Sequence, residues 1–275
     1  RQVALSTYAG APWAADGSID CGKLREALLT NGANSYNFLL EDKDGRSYLS
    51  TVRCLEALRN FTAGGVPFRA WLTLIPPTEA ASGSSCSVPA DSPLTPFNET
   101  AMFNQSLGLR GCQDYRAWAE VTGKLASLYP ALRYLNVDDL THNPDVFTAE
   151  LVASMRQLVR PAARLIPVVY YGAHAAAAAL PIDGMLFYFR NEKAGGCPAD
   201  CGVQCAGEWP SGCLSGYNGC AERTVQNLPG EVADVRAALP SHLPLHVGIY
   251  VTGRPPSGRY NCSTPSAAYG REALE

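Results

Sequence analysis

The side chains best able to do chemistry in this 275-residue chain are Asp138 and Asp139, two carboxylates that end the apolar run at the start of "LRYLNVDDLTHNP" (132–144). Other β-forming runs stop in a similar way. Glu41 and Asp42 follow "SYNFLL", and Glu79 follows "PFRAWLTLIPP". Arg190, Asn191 and Glu192 close "DGMLFYFRNE", and Tyr250, Thr252 and Arg254 close "LPLHVGIYVTGR". Carboxyl groups that reach one cleft from different segments are the minimal machinery for glycoside hydrolysis. One protonates the leaving oxygen, and the other attacks the sugar or activates water. The leading pair is Asp139 with Glu192, with Asp138 and Glu41 in reserve. One member is expected to be a general acid whose pKa is raised by burial or by a neighbouring carboxylate. Side chains alternate along a strand, so only one of Asp138 and Asp139 faces the cleft squarely. The other turns toward a loop or caps the following turn.

Aromatic and amide groups gather at the same run ends. Tyr8, Trp13, Tyr171, Tyr188 and Tyr250, with Asn136, Arg190 and Asn191, form a candidate saccharide-binding set. Their rings would cover the apolar faces of sugars while polar tips take hydroxyls, although core packing explains any single ring equally well.

The elements that must position these groups alternate strictly. Strands are read at 2–10, 35–41, 67–77, 132–139, 164–172, 183–191 and 243–253. Helices are read at 21–32, 47–65, 114–130, 147–159, 174–180 and 223–239, the last broken at Pro229. The strands look apolar on both faces, as buried parallel strands do. This pattern predicts an α/β fold, a (β/α)8-type TIM barrel in one domain spanning 1–275, with an eighth unit that is absent or irregular. A doubly wound sheet is the alternative, but the segment after the first strand, "YAGAPWAADGS", has no G-x-G-x-x-G. Two loop insertions, 78–113 and 193–222, both follow strands, which puts them on the catalytic face of a barrel.

Composition narrows the setting. The chain is 47% hydrophobic and 17% charged with a formal net charge of −3. It has no Lys/Arg-rich run, so nucleic acid and anionic membrane surfaces are not expected partners. No apolar stretch is long enough to span a bilayer. The chain opens at Arg1 rather than Met, as after removal of a signal peptide. Its ten cysteines are Cys21, Cys54, Cys86, Cys112, Cys197, Cys201, Cys205, Cys213, Cys220 and Cys262, and they read as disulfides of a secreted protein. Cys21 and Cys54, on adjacent outer helices, can staple each other, as can Cys86 and Cys112. The five cysteines of the second insertion leave one to pair elsewhere, with Cys262 the candidate. Asn-x-Ser/Thr sequons at Asn60, Asn98, Asn104 and Asn261 agree with a secreted glycoprotein.

The βα alternation together with "YLNVDD" resembles secreted TIM-barrel glycoside hydrolases, particularly the spherulin-4-like and endo-galactosaminidase-like barrels whose fourth strand ends in adjacent acids. The resemblance implies a glycan substrate, carboxylate catalysis and no cofactor. The chitinase-type D-x-x-D-x-D-x-E is missing, and the seventh strand ends in "YVTG" without a glutamate.

Two rival readings remain. A barrel with one carboxylate would be a carbohydrate-binding or cell-surface recognition protein. A metal-dependent polysaccharide deacetylase would combine an Asp pair with His242 and His246, but Pro244 between them rules out a helical i, i+4 pair. The cluster 197–220 has C-x3-C-x3-C-x7-C-x6-C spacing, unlike a zinc site, and no metal is expected. His142 and His174, which follow the fourth and fifth strands, are candidate proton-transfer groups.

Overall fold

The computed structural model describes residues 6–8, 12–40, 46–74, 115–189 and 228–249. The chain divides into two compact units, Arg1–Pro167 with Leu180–Asp183, and Val168–Ala179 with Gly184–Glu275.

The first unit is built on a five-stranded, wholly parallel sheet in the order β1 (Ser6–Tyr8), β2 (Ser35–Leu40), β5 (Arg69–Leu74), β6 (Leu132–Val137), β7 (Arg164–Leu165). Among the described residues its helices are α1 (Cys21–Thr30), α2 (Arg46–Ala57), α3 (Tyr115–Leu128) and α4 (Ala149–Val159). The α/β class expected from the sequence is therefore the class observed. Strand order follows chain order throughout this sheet, so it contains no reversal of the kind that marks a doubly wound fold.

The local sequence explains the boundaries. Asp20 starts α1 by accepting the Lys23 N–H at 3.0 Å, and Leu24 and Leu28, one turn apart, are its buried face. Gly32, at φ 63°, lets the chain turn into β2. Thr148 caps α4 through a 3.3 Å bond from Leu151 N–H. Gly123 of α3 faces the backbone of α4. A Cβ there would lie 2.5 Å from Leu158 O, so only glycine permits this approach.

Several readings of the sequence need correction. The second helix stops at Ala57 instead of running to residue 65. Thr62–Ala63 (β3) and Val66–Pro67 (β4) form an antiparallel hairpin around Gly64 and Gly65, at φ 57° and 77°. Two successive positive-φ residues suit a tight hairpin turn and break a helix. The strand read as 164–172 is two short ones, because Pro167 has no N–H to give the ladder. β7 pairs with β6, whereas Val168–Val169 (β8) belongs to a different sheet. Lastly, the central strands are not apolar on both faces. Tyr36, Phe38, Leu40, Ala70, Leu72, Leu74, Leu135 and Val137 make one apolar face, suited to the apolar stripes of the helices. The other face carries Ser35, Asn37, Thr73 and Asn136, all buried.

The disulfide expected between Cys21 and Cys54 is present and ties α1 to α2. With a sequence separation of 33, it stabilises the fold by about 3–4 kcal/mol on a chain-entropy estimate. The other eight cysteines lie outside the described residues.

The second unit contains a three-stranded parallel sheet in the order β10 (Leu245–Gly248), β9 (Met185–Tyr188), β8. Among the described residues its helices are α5 (His174–Ala178) and α6 (Leu228–Ala238). Pro229 does not break α6. It occupies the first turn, where a missing N–H costs nothing. Among the described residues no helix is long and apolar enough to cross a membrane.

Candidate functional site

Register sets one level of side chains after another on the polar face of β2, β5 and β6. Asn37, Trp71 and Tyr134 share one level, and Thr73 and Asn136 share the next. The Trp71 and Tyr134 rings stack with centroids 4.0 Å apart, and Trp71 Nε1–H donates to Ser35 Oγ at 3.1 Å. The Thr73 hydroxyl donates to Asn37 Oδ1. Asn136 is fully buried, yet among the described residues neither its amide nitrogen nor its amide oxygen has a partner.

Past Val137 the chain keeps its ladder for one more residue. Asp138 N–H donates to Leu74 O at 3.0 Å, and alternation carries the half-buried Asp138 to the side of Asn136, at the carboxyl end of the sheet. Asp139 leaves that line. Its backbone is left-handed, φ 44° and ψ 32°, and it starts a short 3-10 turn over Leu140–His142. Its N–H donates to Asp138 Oδ1 at 3.0 Å. Its carbonyl accepts from His142 N–H at 3.0 Å and from Asn143 Nδ2 at 3.1 Å. Its carboxylate Oδ1 faces His142 Nδ1 at 3.4 Å, an ion-pair distance too long for a good hydrogen bond. Asp139 holds the N-cap position of this turn, but its side chain makes no capping bond. Of the two acids, then, Asp138 continues the polar face and Asp139 bends into the turn beside His142.

The remaining candidates are placed as follows. Trp13 is exposed on the loop 12–20, where it bridges Ile19. Ala14 N–H bonds Ser18 O, and Ile19 N–H bonds Ser50 Oγ. Tyr8 is level with Asn37 in the β1–β2 register. Tyr171 donates its hydroxyl to Asp234 Oδ2 at 2.5 Å and lies against the His174 ring. Tyr188 lies over Gly248, where a Cβ would come within 2.5 Å of its ring. Asn60 is exposed in the turn after α2. His246 is a half-buried residue of β10 itself, and His242 lies in the turn before that strand. Glu41, Glu192, Arg190, Asn191, Tyr250, Asn98, Asn104 and Asn261 lie outside the described residues. Among the described residues no group of three or more His, Cys, Asp or Glu is placed to hold a metal ion.

Sequence reasoning passed over Asn37, Trp71, Thr73 and Tyr134. Their signal was the period of two in "SYN", "WLT" and "YLNVD", hidden by the large apolar residues between them. A shallow depression bounded by Arg236–Ser241 lies on another part of the chain, and Arg236 there is committed to the carbonyls of Leu239, Pro240 and Leu243.

Compared with known proteins, the chain matches no family model and no curated sequence.

Proposed function

We propose that the chain is a secreted glycoside hydrolase in which the sequential parallel strands belong to a (β/α) barrel and the polar face opens at its carboxyl rim. The supporting observation is the run Asn37, Thr73, Asn136, Asp138, which crosses three adjacent parallel strands toward the edge where α/β folds place their chemistry. Asp138 is the carboxylate that meets the glycosidic centre. Asp139 with His142 fixes the turn that aims it. The second carboxylate is supplied by Glu41 or Glu192. Glu41 continues the period-two series Ser35, Asn37, Leu39 in the sequence. One carboxyl protonates the departing oxygen as the other attacks the anomeric carbon or deprotonates the incoming water. The Trp71–Tyr134 stack and the buried amides give the site the aromatic and hydrogen-bonding surface that a sugar ring requires. The proposed residues need no organic cofactor.

A hydrolysis screen over a panel of glycans, run on the wild type, Asp138→Asn and Asp139→Asn, tests this reading. The expected result is turnover by the wild type, a loss of roughly 10²–10⁴-fold in Asp138→Asn and a smaller loss in Asp139→Asn, with both variants folded. Full turnover in Asp138→Asn overturns the assignment.

The second reading is a glycan-binding barrel without catalysis. The orphaned amide of Asn136 favours it, because an amide recognises hydroxyls but transfers no proton. Saccharide binding with no turnover of any glycan would select it.

A further inference from the structure

Asn136 is the one described residue whose buried side chain leaves two polar atoms without a partner. Asn34 Oδ1 and Thr141 Oγ1 are single orphaned oxygens. A buried amide can offer two donors and accept twice, and leaving it unmade is costly, so folded chains rarely keep one without a reason. The neighbours explain why nothing within the sheet relieves it. Thr73, beside it in register, gives its only O–H to Asn37 and so donates nothing to the Asn136 oxygen. Trp71 spends its N–H on Ser35. Along the strand the next residue on this face is Asp138, about 6.6 Å further on.

We infer that Asn136 is the recognition residue for one pyranose ring. Its amide takes an adjacent donor–acceptor hydroxyl pair on one edge of the ring, and Asp138 meets the opposite edge. This rests on the glycan reading above and adds the ligand class and the atoms that read it. Two strand positions apart, the two residues are separated along the strand by about the width of a single six-membered ring, and the Trp71–Tyr134 stack lies one level below Asn136. Asn136 is fully buried in the free chain, so binding requires the site to open. The unsatisfied amide is a standing cost in the free protein that the ligand removes.

Asn136→Leu, close in shape and apolar, and Asn136→Asp, which loses the donor, test this on the full chain. The probes are glucose, galactose, mannose and their 2-acetamido derivatives at millimolar concentration. In the wild type the Asn136 side-chain amide resonance, identified by its loss in both variants, reports contact at this residue; the affinities of all three proteins are compared by titration calorimetry, and folding is followed by thermal unfolding. The expected result has three parts. At least one sugar shifts that resonance in the wild type. Asn136→Leu binds it roughly tenfold to a hundredfold more weakly, the loss of two hydrogen bonds. Asn136→Leu also melts no lower than the wild type. A sugar that binds the wild type and Asn136→Leu equally overturns the inference and leaves the glycan reading standing. A lowered melting temperature in Asn136→Leu, with Asn136→Asp still folded and binding as the wild type does, overturns it too, because the amide would then be satisfied within the chain. No response to any sugar in the wild type removes both readings.

Discussion

Arg156 Nε donates to Asp183 Oδ1 at 2.7 Å, a bond from α4 to a carboxylate whose side chain is 1% exposed. Arg160, four residues on, reaches the same carboxylate, and Leu165 N–H donates to its other oxygen at 3.1 Å. Asp183 N–H returns a bond to Leu165 O at 2.9 Å. One buried acid thus fastens α4 and the edge strand β7.

Removing that acid leaves two guanidinium groups and the Leu165 N–H without their acceptor. Both arginines retain some access to water, so part of the loss is made up by solvation. Asp183→Ala is expected to lower stability by about 2–4 kcal/mol, and Asp183→Asn by less, because it keeps an oxygen for Leu165. Urea unfolding of the two variants checks the order. Equal, sub-kcal losses would mean that the cluster is ornamental to the fold.

Asp20 and Asp16 give the loop carrying Trp13 a definite response to acid. The Lys23 backbone N–H, with the charge of Lys23 adding to it, holds the Asp20 carboxyl below its usual value of 3.8. The Ser18 hydroxyl and N–H do the same for Asp16. A carboxyl whose folded pKa lies below its unfolded one stabilises the fold at any pH above the unfolded value, and that contribution fades as pH falls through 3.8 to the folded value. Asp20→Asn keeps an N-cap side chain but no longer titrates. Melting temperatures taken between pH 7 and pH 2 are therefore expected to fall more steeply in the wild type than in Asp20→Asn below pH 4. Parallel curves would show that the cap does not depend on charge.

Much of this architecture can be read from residue order, and the failures have physical causes. The helical period over 21–32 marked α1, and short apolar runs marked β2, β5 and β6 to within a few residues. Adjacent helices carrying Cys21 and Cys54 pointed to their disulfide. Gly64–Gly65 was read as the end of the second helix, because apolar spacing continues past Ala57 into Leu58 and Phe61, and only backbone sign, not composition, separates a helix end from a hairpin there. Pro167 sits in so apolar a run that its missing N–H was outweighed, yet that N–H decides which strand pairs with which. The polar face was hidden for a related reason. Buried Asn37, Thr73 and Asn136 alternate with Phe38, Leu72, Leu135 and Val137, and a summed hydrophobicity averages the two faces together. The divergence of Asp138 and Asp139 followed from alternation, but which acid kept to the face depends on a left-handed residue that no propensity assigns to one aspartate over the other.

That left-handed residue supplies a test separating the turn from the chemistry. Asp139 sits at φ 44°, where a side chain costs about 1 kcal/mol or more and glycine is at ease. Asp139→Gly and Asp139→Ala both remove the carboxylate and its contact with His142, and differ only in how well they tolerate this conformation. Asp139→Gly is expected to fold within about 0.5 kcal/mol of the wild type, because relief of strain offsets the greater freedom of glycine in the unfolded chain. Asp139→Ala should be less stable than Asp139→Gly by about 1 kcal/mol. If the Asp139 carboxylate serves the proposed hydrolysis by orienting the turn beneath Asp138, both variants lose turnover to the same extent although their stabilities differ. Identical denaturation midpoints for the two would show that the left-handed turn is not held in the native state, and turnover that tracked stability would assign Asp139 to the fold alone.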